Sequence, residues 1–180
     1  MRSGGILSLD LATVTGWAVC SADYVRNWTP DLVIPDGSAT QYGLMNGYKD
    51  FRIHGSDVGS KLAALMEWIE EMISVHDPRV LVFEAPFVQR DPKKQNHNTA
   101  ILLMSMAGIA EAMASKHGIK AYECNVDRVK EQACGTARAK KPEITSAARD
   151  KGWNPANEDA ADALWALDTT IEAMAMKKSG

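Results

Sequence analysis

Three hydrophobic patterns run along this chain, and each marks a kind of element. Ile6, Leu7, Leu9 and Leu11 form a short apolar run ending in Thr and Gly, which predicts a buried strand. The chain turns at Gly16, and Trp17, Val19 and their neighbours restart a β pattern. Residues 21–54 keep no period and are punctuated by Pro30, Pro35, Gly37, Gly43 and Gly47. Within them Thr40–Met45 reads as a third strand pairing with 16–20, leaving Asp23–Ser38 as a long hairpin loop.

Helical spacing begins at Val58 and continues through Leu62, Leu65, Met66, Ile69, Met72 and Ile73. This predicts a helix capped by Ser56 and ended at Asp77-Pro78, because proline excludes its predecessor from helix. Val80-Leu81-Val82-Phe83 is a continuous apolar run, the mark of a central strand buried on both faces, and it ends in Glu84. A polar stretch over 88–98 precedes a helix from about Thr99 to Lys116. That helix is apolar nearly all round, which predicts burial on more than one side, by sheet and helix or by a second subunit. A short strand over 118–123, a helix over 126–133, a basic loop over 136–141 and a helix from Lys141-Pro142 to about Lys151 follow. The last helix runs from Asn157 to about Met176.

The 180 residues suit one domain, taken as 1–180. Hydrophobic content of 46% and charged content of 24% are ordinary for a globular protein. No uninterrupted apolar run approaches the roughly 18 residues of a membrane span, and no secretory signal is visible, so no membrane role is expected. Cys20, Cys124 and Cys134 are far apart and odd in number, which fits a reducing compartment such as the cytoplasm. They form no zinc pattern. Net charge is -3, but its distribution is uneven. Residues 88–151 carry 12 Lys and Arg against 7 Asp and Glu, while the remainder is acidic. One contiguous part of the chain is therefore basic, as a phosphate-facing surface requires. Its candidate phosphate contacts are Arg90, Lys93, Lys94, Arg128, Lys130, Arg138, Lys140 and Lys141.

The acids carry the candidate chemistry. Asp10 sits inside the first apolar run, where a carboxylate costs several kcal/mol unless a cation compensates it. Glu84 ends the second buried strand, and strand ends are where sites form in α/β sheets. Asp159 and Asp162 are three apart and share a helix face among alanines, so their charges repel unless a cation lies between them. Hard oxygen ligands without His or Cys suit Mg²⁺, with Mn²⁺ as a substitute. Four carboxylates on three elements can hold two ions, the arrangement that hydrolyses phosphodiesters by in-line displacement.

The motifs resemble the RuvC family of Holliday-junction resolvases, within the RNase H-like superfamily. Asp159-Ala160-Ala161-Asp162-Ala163-Leu164 resembles the family's terminal helix, and Glu84-Ala85-Pro86-Phe87 its E-x-x-F after the central strand. Asp10 with Thr15-Gly16-Trp17 resembles the first-strand motif, and Tyr122 onward, with Val129-Lys130, Gly135 and Lys141, the basic segment. Asp10-Leu11-Ala12 replaces the usual Asp-Pro-Gly, as in phage-type relatives, and 21–54 lies outside the resemblance.

The resemblance implies an RNase H-like α/β fold, with a central mixed five-stranded sheet flanked by helices. It implies a crossover junction endodeoxyribonuclease: a homodimer that binds branched DNA and nicks two opposing strands of a four-way junction with Mg²⁺. Asp10, Glu84, Asp159 and Asp162 would be the metal ligands, and Phe87 would insert at the crossover. Lys130 and Lys141 would contact phosphates near the scissile bond, and Glu158 is an extra acid able to take over a ligand role. Two other readings remain open: a nuclease for forks or flaps, and a catalytically silent module that binds nucleic acid. A sugar-kinase or actin-like ATPase shares the opening strand–turn–strand, but no glycine-rich phosphate loop follows the second strand.

Overall fold

The computed structural model describes residues 4–35, 37–86 and 97–178. Five strands form one mixed sheet: β1 (Gly5–Asp10), β2 (Val14–Cys20), β3 (Leu44–Asp50), β4 (Pro78–Glu84) and β5 (Lys120–Cys124), in the order β3-β2-β1-β4-β5. The hairpin β1–β2 and the pair β2–β3 are antiparallel, whereas β1–β4 and β4–β5 are parallel. The helices are α1 (Ala22–Asn27), α2 (Val58–His76), α3 (His97–Lys116), α4 (Val126–Cys134), α5 (Lys141–Asp150) and α6 (Glu158–Lys178).

Strand alternation splits the core into two layers. Leu7, Leu9, Leu81 and Phe83 point to the side covered by α2 and α3, where they meet Leu65, Ile69, Met106 and Met113. Ile6, Val80 and Val82 point to the other side, against Leu164, Leu167 and the alanines of α6. Ala160, Ala161, Ala163 and Ala166 are fully buried, and their small side chains let α6 lie close over the middle of the sheet. The same alternation puts Asp10 in phase with Ile6, and Glu84 in phase with Val80 and Val82. Both acids therefore project toward α6.

Several boundaries differ from the sequence reading. The cap of α2 is Asp57, not Ser56: its carboxylate accepts from the Ser60 N–H at 2.7 Å, and a carboxylate is the better partner for a helix N-terminus. The third strand lies over 44–50 rather than 40–45, because the whole of β2 selects its partner and 38–43 form turns instead. The expected loop 23–38 contains most of α1, and it is tied down further along. The Trp28 indole donates to Asp168 at 2.5 Å, and the Ile34 N–H donates to the Lys151 carbonyl at 2.9 Å.

The long apolar helix is not buried all round. α3 packs on α2, β4 and β5 through Met106, Ala110 and Met113, while Ile101 is 46% and Met104 58% exposed. By length and mean hydropathy α3 is also sufficient to cross a membrane, although no single uninterrupted apolar run suggests it.

Candidate active site

The site lies where the parallel strands β1 and β4 end. Asp10 and Glu84 follow the paired Leu9 and Phe83, so the two acids leave neighbouring strands at the same level. Opposite Asp10 across the hairpin is Gly16. The Asp159 backbone at the start of α6 approaches so closely there that a Cβ on Gly16 would lie 2.0 Å from the Asp159 carbonyl oxygen. The Asn157 side chain caps this helix by accepting from the Ala160 N–H at 2.7 Å. The first two turns of α6 thereby deliver Asp159 and Asp162 to the sheet.

Carboxylate oxygens of Asp10, Asp159 and Asp162 all lie within 4.8 Å of one another. The Lys141 ammonium, from the first turn of α5, sits on this group, 2.5 Å from Asp159 Oδ1 and 3.4 Å from Asp162 Oδ2. Glu84 stands outside the three-acid group but lines a cleft of about 640 Å³ with Asp10, Asp159, Lys141, Lys130 and Asn125.

Electrostatics show a site short of positive charge. Burial, followed by the charges of Glu84 and Asp162, pushes Asp10 well above the ordinary carboxylate range. Burial and the Asp162 charge raise Glu84 to about 7, against the opposing pull of Lys130 and Lys141. Burial also raises Asp162, although Lys141 opposes it. Burial disfavours charge on Lys141, yet its hydrogen bond to Asp159 and the charges of Asp162 and Asp10 outweigh this and push it up. One ammonium does not satisfy four acids in so small a volume, and a divalent cation would. The donor set is carboxylate oxygen throughout, which fits Mg²⁺ or Mn²⁺.

Other candidates fall elsewhere. Arg128 turns toward Glu172 at 3.9 Å and lines a separate hollow with Tyr122 and Lys177. Arg138 and Lys140 are exposed on the approach to α5, outside the lining of the cleft. Glu158 is exposed and does not join the acidic group. Phe87, Arg90, Lys93 and Lys94 lie outside the described residues. The sequence reading missed Asn125, which caps α4 by accepting from the Asp127 and Arg128 N–H groups. An Asn just before the predicted helix at Val126 is the signal that marks it.

Residues 33–170 match the family model described as crossover junction endodeoxyribonuclease RuvC. RuvC of Chromohalobacter salexigens is 30% identical over 93 residues, which cover 52% of this chain and 47% of that protein. RuvC of Protochlamydia amoebophila is 28% identical over 110 residues, covering 59% and 62%. The match thus spans about half to two thirds of these relatives' length. Among solved structures, Thermus thermophilus RuvC in complex with Holliday junction substrate superposes with a TM-score of 0.70 at 16% identity, over 97% of this chain and 96% of that one. The yeast mitochondrial Holliday junction resolvase Ydc2 superposes at 0.65 and 8% identity, over 99% and 82%. The structural likeness is one of fold, a mixed five-stranded sheet between helices of the RNase H-like kind. The family match runs from the segment before β3 into α6 and takes in Glu84, Lys141, Asp159 and Asp162, and on that span the chain belongs to the RuvC family.

Proposed function

We propose that the protein is a Mg²⁺-dependent, structure-selective DNA endonuclease that resolves four-way junctions by paired phosphodiester hydrolysis. The observation that carries this reading is the meeting of Asp10 with Asp159 and Asp162, three carboxylates from opposite ends of the chain within 4.8 Å. Asp10, Asp159 and Asp162 would hold one divalent ion, and Glu84 with Asp10 would hold a second. Bound there, such ions neutralise charge on the attacking and leaving oxygens of the phosphodiester.

The chain's own residues do the rest. β1 and β4 fix Asp10 and Glu84 on a rigid sheet, so the acids do not reorganise when DNA enters. Lys141, paired here with Asp159 and Asp162, would face a phosphate oxygen at the cut when those acids hold metal. Lys130, half-buried on the cleft wall, meets the next phosphate. The exposed stripe of α3 at Ile101 and Met104 supports a homodimer, which presents two such clefts to two opposing strands.

The test is a nicking assay on a labelled four-way junction with Mg²⁺, beside linear duplex, a fork and Asp10→Asn. Paired nicks in opposing strands of the junction, lost in the variant, are expected. Equal cutting of the fork would replace the reading with a broader branched-DNA nuclease, and binding without cutting in Mg²⁺ or Mn²⁺ would replace it with a silent module.

A further inference from the structure

We propose that Asn46, on the edge strand β3, is a positioning residue for the acidic site, acting through the loop that feeds α6. The proposal rests on the metal-site reading above. Asn46 lies in the 21–54 segment that the sequence motifs leave out, although the family match over residues 33–170 includes it.

Its side-chain amide is spent on one target. Nδ2 donates to the Trp153 carbonyl at 3.3 Å and faces the Asn154 carbonyl at 3.5 Å, while Oδ1 accepts from the Ala156 N–H at 2.9 Å. The loop it holds has unusual backbone at two points, Gly152 at φ +74° and Asn154 at φ +50°. It also contains Pro155, which has no N–H to offer. This loop leads directly into Asn157, the residue that caps α6 and whose Nδ2 lies 3.4 Å from Asp159 Oδ2.

The anchor is as rigid as the target. Asn46 pairs with Ala18 in the β2–β3 ladder, one pair removed from Trp17–Gly47 and two from Gly16–Tyr48. Gly16 is where the Asp159 backbone rests on the sheet. The β2–β3 ribbon therefore holds the start of α6 twice, by contact at Gly16 and by hydrogen bonds from Asn46. Metal ligands need placement to about 0.5 Å, so loosening one hold weakens the metal before it unfolds the chain. Asn46 touches neither metal ligand nor substrate, so it acts through the loop alone.

The experiment titrates full-length Asn46→Ala with Mn²⁺, without DNA, and reads free Mn²⁺ by electron paramagnetic resonance. Trp28→Phe serves as the comparison, since it removes the bond to Asp168, nearly two turns beyond Asp162 on α6, and leaves the loop before α6 untouched. Asn46→Ala is expected to bind Mn²⁺ roughly 3- to 10-fold more weakly than the native chain, less than the about 10- to 100-fold of a group bonded directly to a ligand. Trp28→Phe should bind as the native chain does, whatever melting temperature it loses. In cleavage, Asn46→Ala should lose kcat at limiting metal, regain it at saturating metal, and keep its KM for DNA. Native Mn²⁺ affinity in Asn46→Ala, or equal weakening in Trp28→Phe, would overturn the proposal. Native affinity in Asp162→Asn would instead overturn the metal-site reading on which it rests.

Discussion

Gly16 and Asp159 are in contact across the seam between sheet and last helix: the space that a side chain on Gly16 would need is filled by the Asp159 carbonyl. Neither backbone can yield without moving the helix that carries two of the acids. Gly16→Ala should therefore lower the melting temperature and abolish divalent-ion binding together. A variant that melts lower yet binds Mn²⁺ normally would show that α6 tolerates displacement.

Asp162 is buried and shares the one Lys141 ammonium with Asp159. Asp162→Asn keeps its shape and removes the charge. Cleavage of a four-way junction should fall by roughly three orders of magnitude, the scale of losing several kcal/mol of transition-state stabilisation. Junction binding in EDTA should persist in a gel-shift assay. Residual cleavage near the native rate would assign the ligand role to Asp159 or Glu158.

Lys141 pairs with Asp159 and Asp162, two of the acids that would hold a metal ion. Lys141→Met should bind Mg²⁺ more tightly than the native chain when no DNA is present, as read by calorimetry. The same variant should cleave more slowly, and the slope of log K against log salt for DNA should shrink by about one. An unchanged slope would remove Lys141 from the phosphate contacts.

Glu84 lies near 7 in the folded chain and would titrate near its ordinary 4.5 when unfolded. The folded form holds that proton more tightly, so the metal-free protein should be more stable at low pH and lose stability as pH rises from about 4.5 through about 7. Melting temperatures in EDTA across that window check this, and Glu84→Gln should flatten the curve. Metal affinity should rise over the same window, because ligands must shed protons to bind.

The stripe at Ile101 and Met104 gives a direct test of assembly. On the homodimer proposed above, the native chain should sediment as a dimer, and replacing both by Glu should give a monomer while leaving Mn²⁺ affinity intact. A native chain that sediments as a monomer at micromolar concentration would reassign this face.

The strands of the buried sheet were legible because Ile6–Leu9 and Val80–Phe83 face a core on both sides, and short apolar-rich runs of that kind fit poorly on any surface. The acids were legible for the complementary reason: a charge inside an apolar run demands a partner. β3 was misplaced because Met45, Asn46, Gly47, Tyr48 and Lys49 line an edge, where no second layer imposes a pattern. The basic residues were countable but not directional, so Lys130 and Lys141 reached the cleft while Arg128 turned to Glu172. The tie of Asn46 to the 153–156 loop was invisible, because it joins segments more than 100 residues apart without charge or periodicity.

The placement of α6 also has a consequence for biosynthesis. β1 is made well before α6, and Asp10 meets Asp159 and Asp162 only once α6, some 150 residues later, has been made and docked. A nascent chain that ends before Glu158 carries Asp10 and Glu84 but neither Asp159 nor Asp162, and none of the helix that spans β1, β2, β3 and β4. Contacts of such sequence separation close late and slowly. The acidic site is therefore incomplete until α6 has been synthesised and has docked on the sheet.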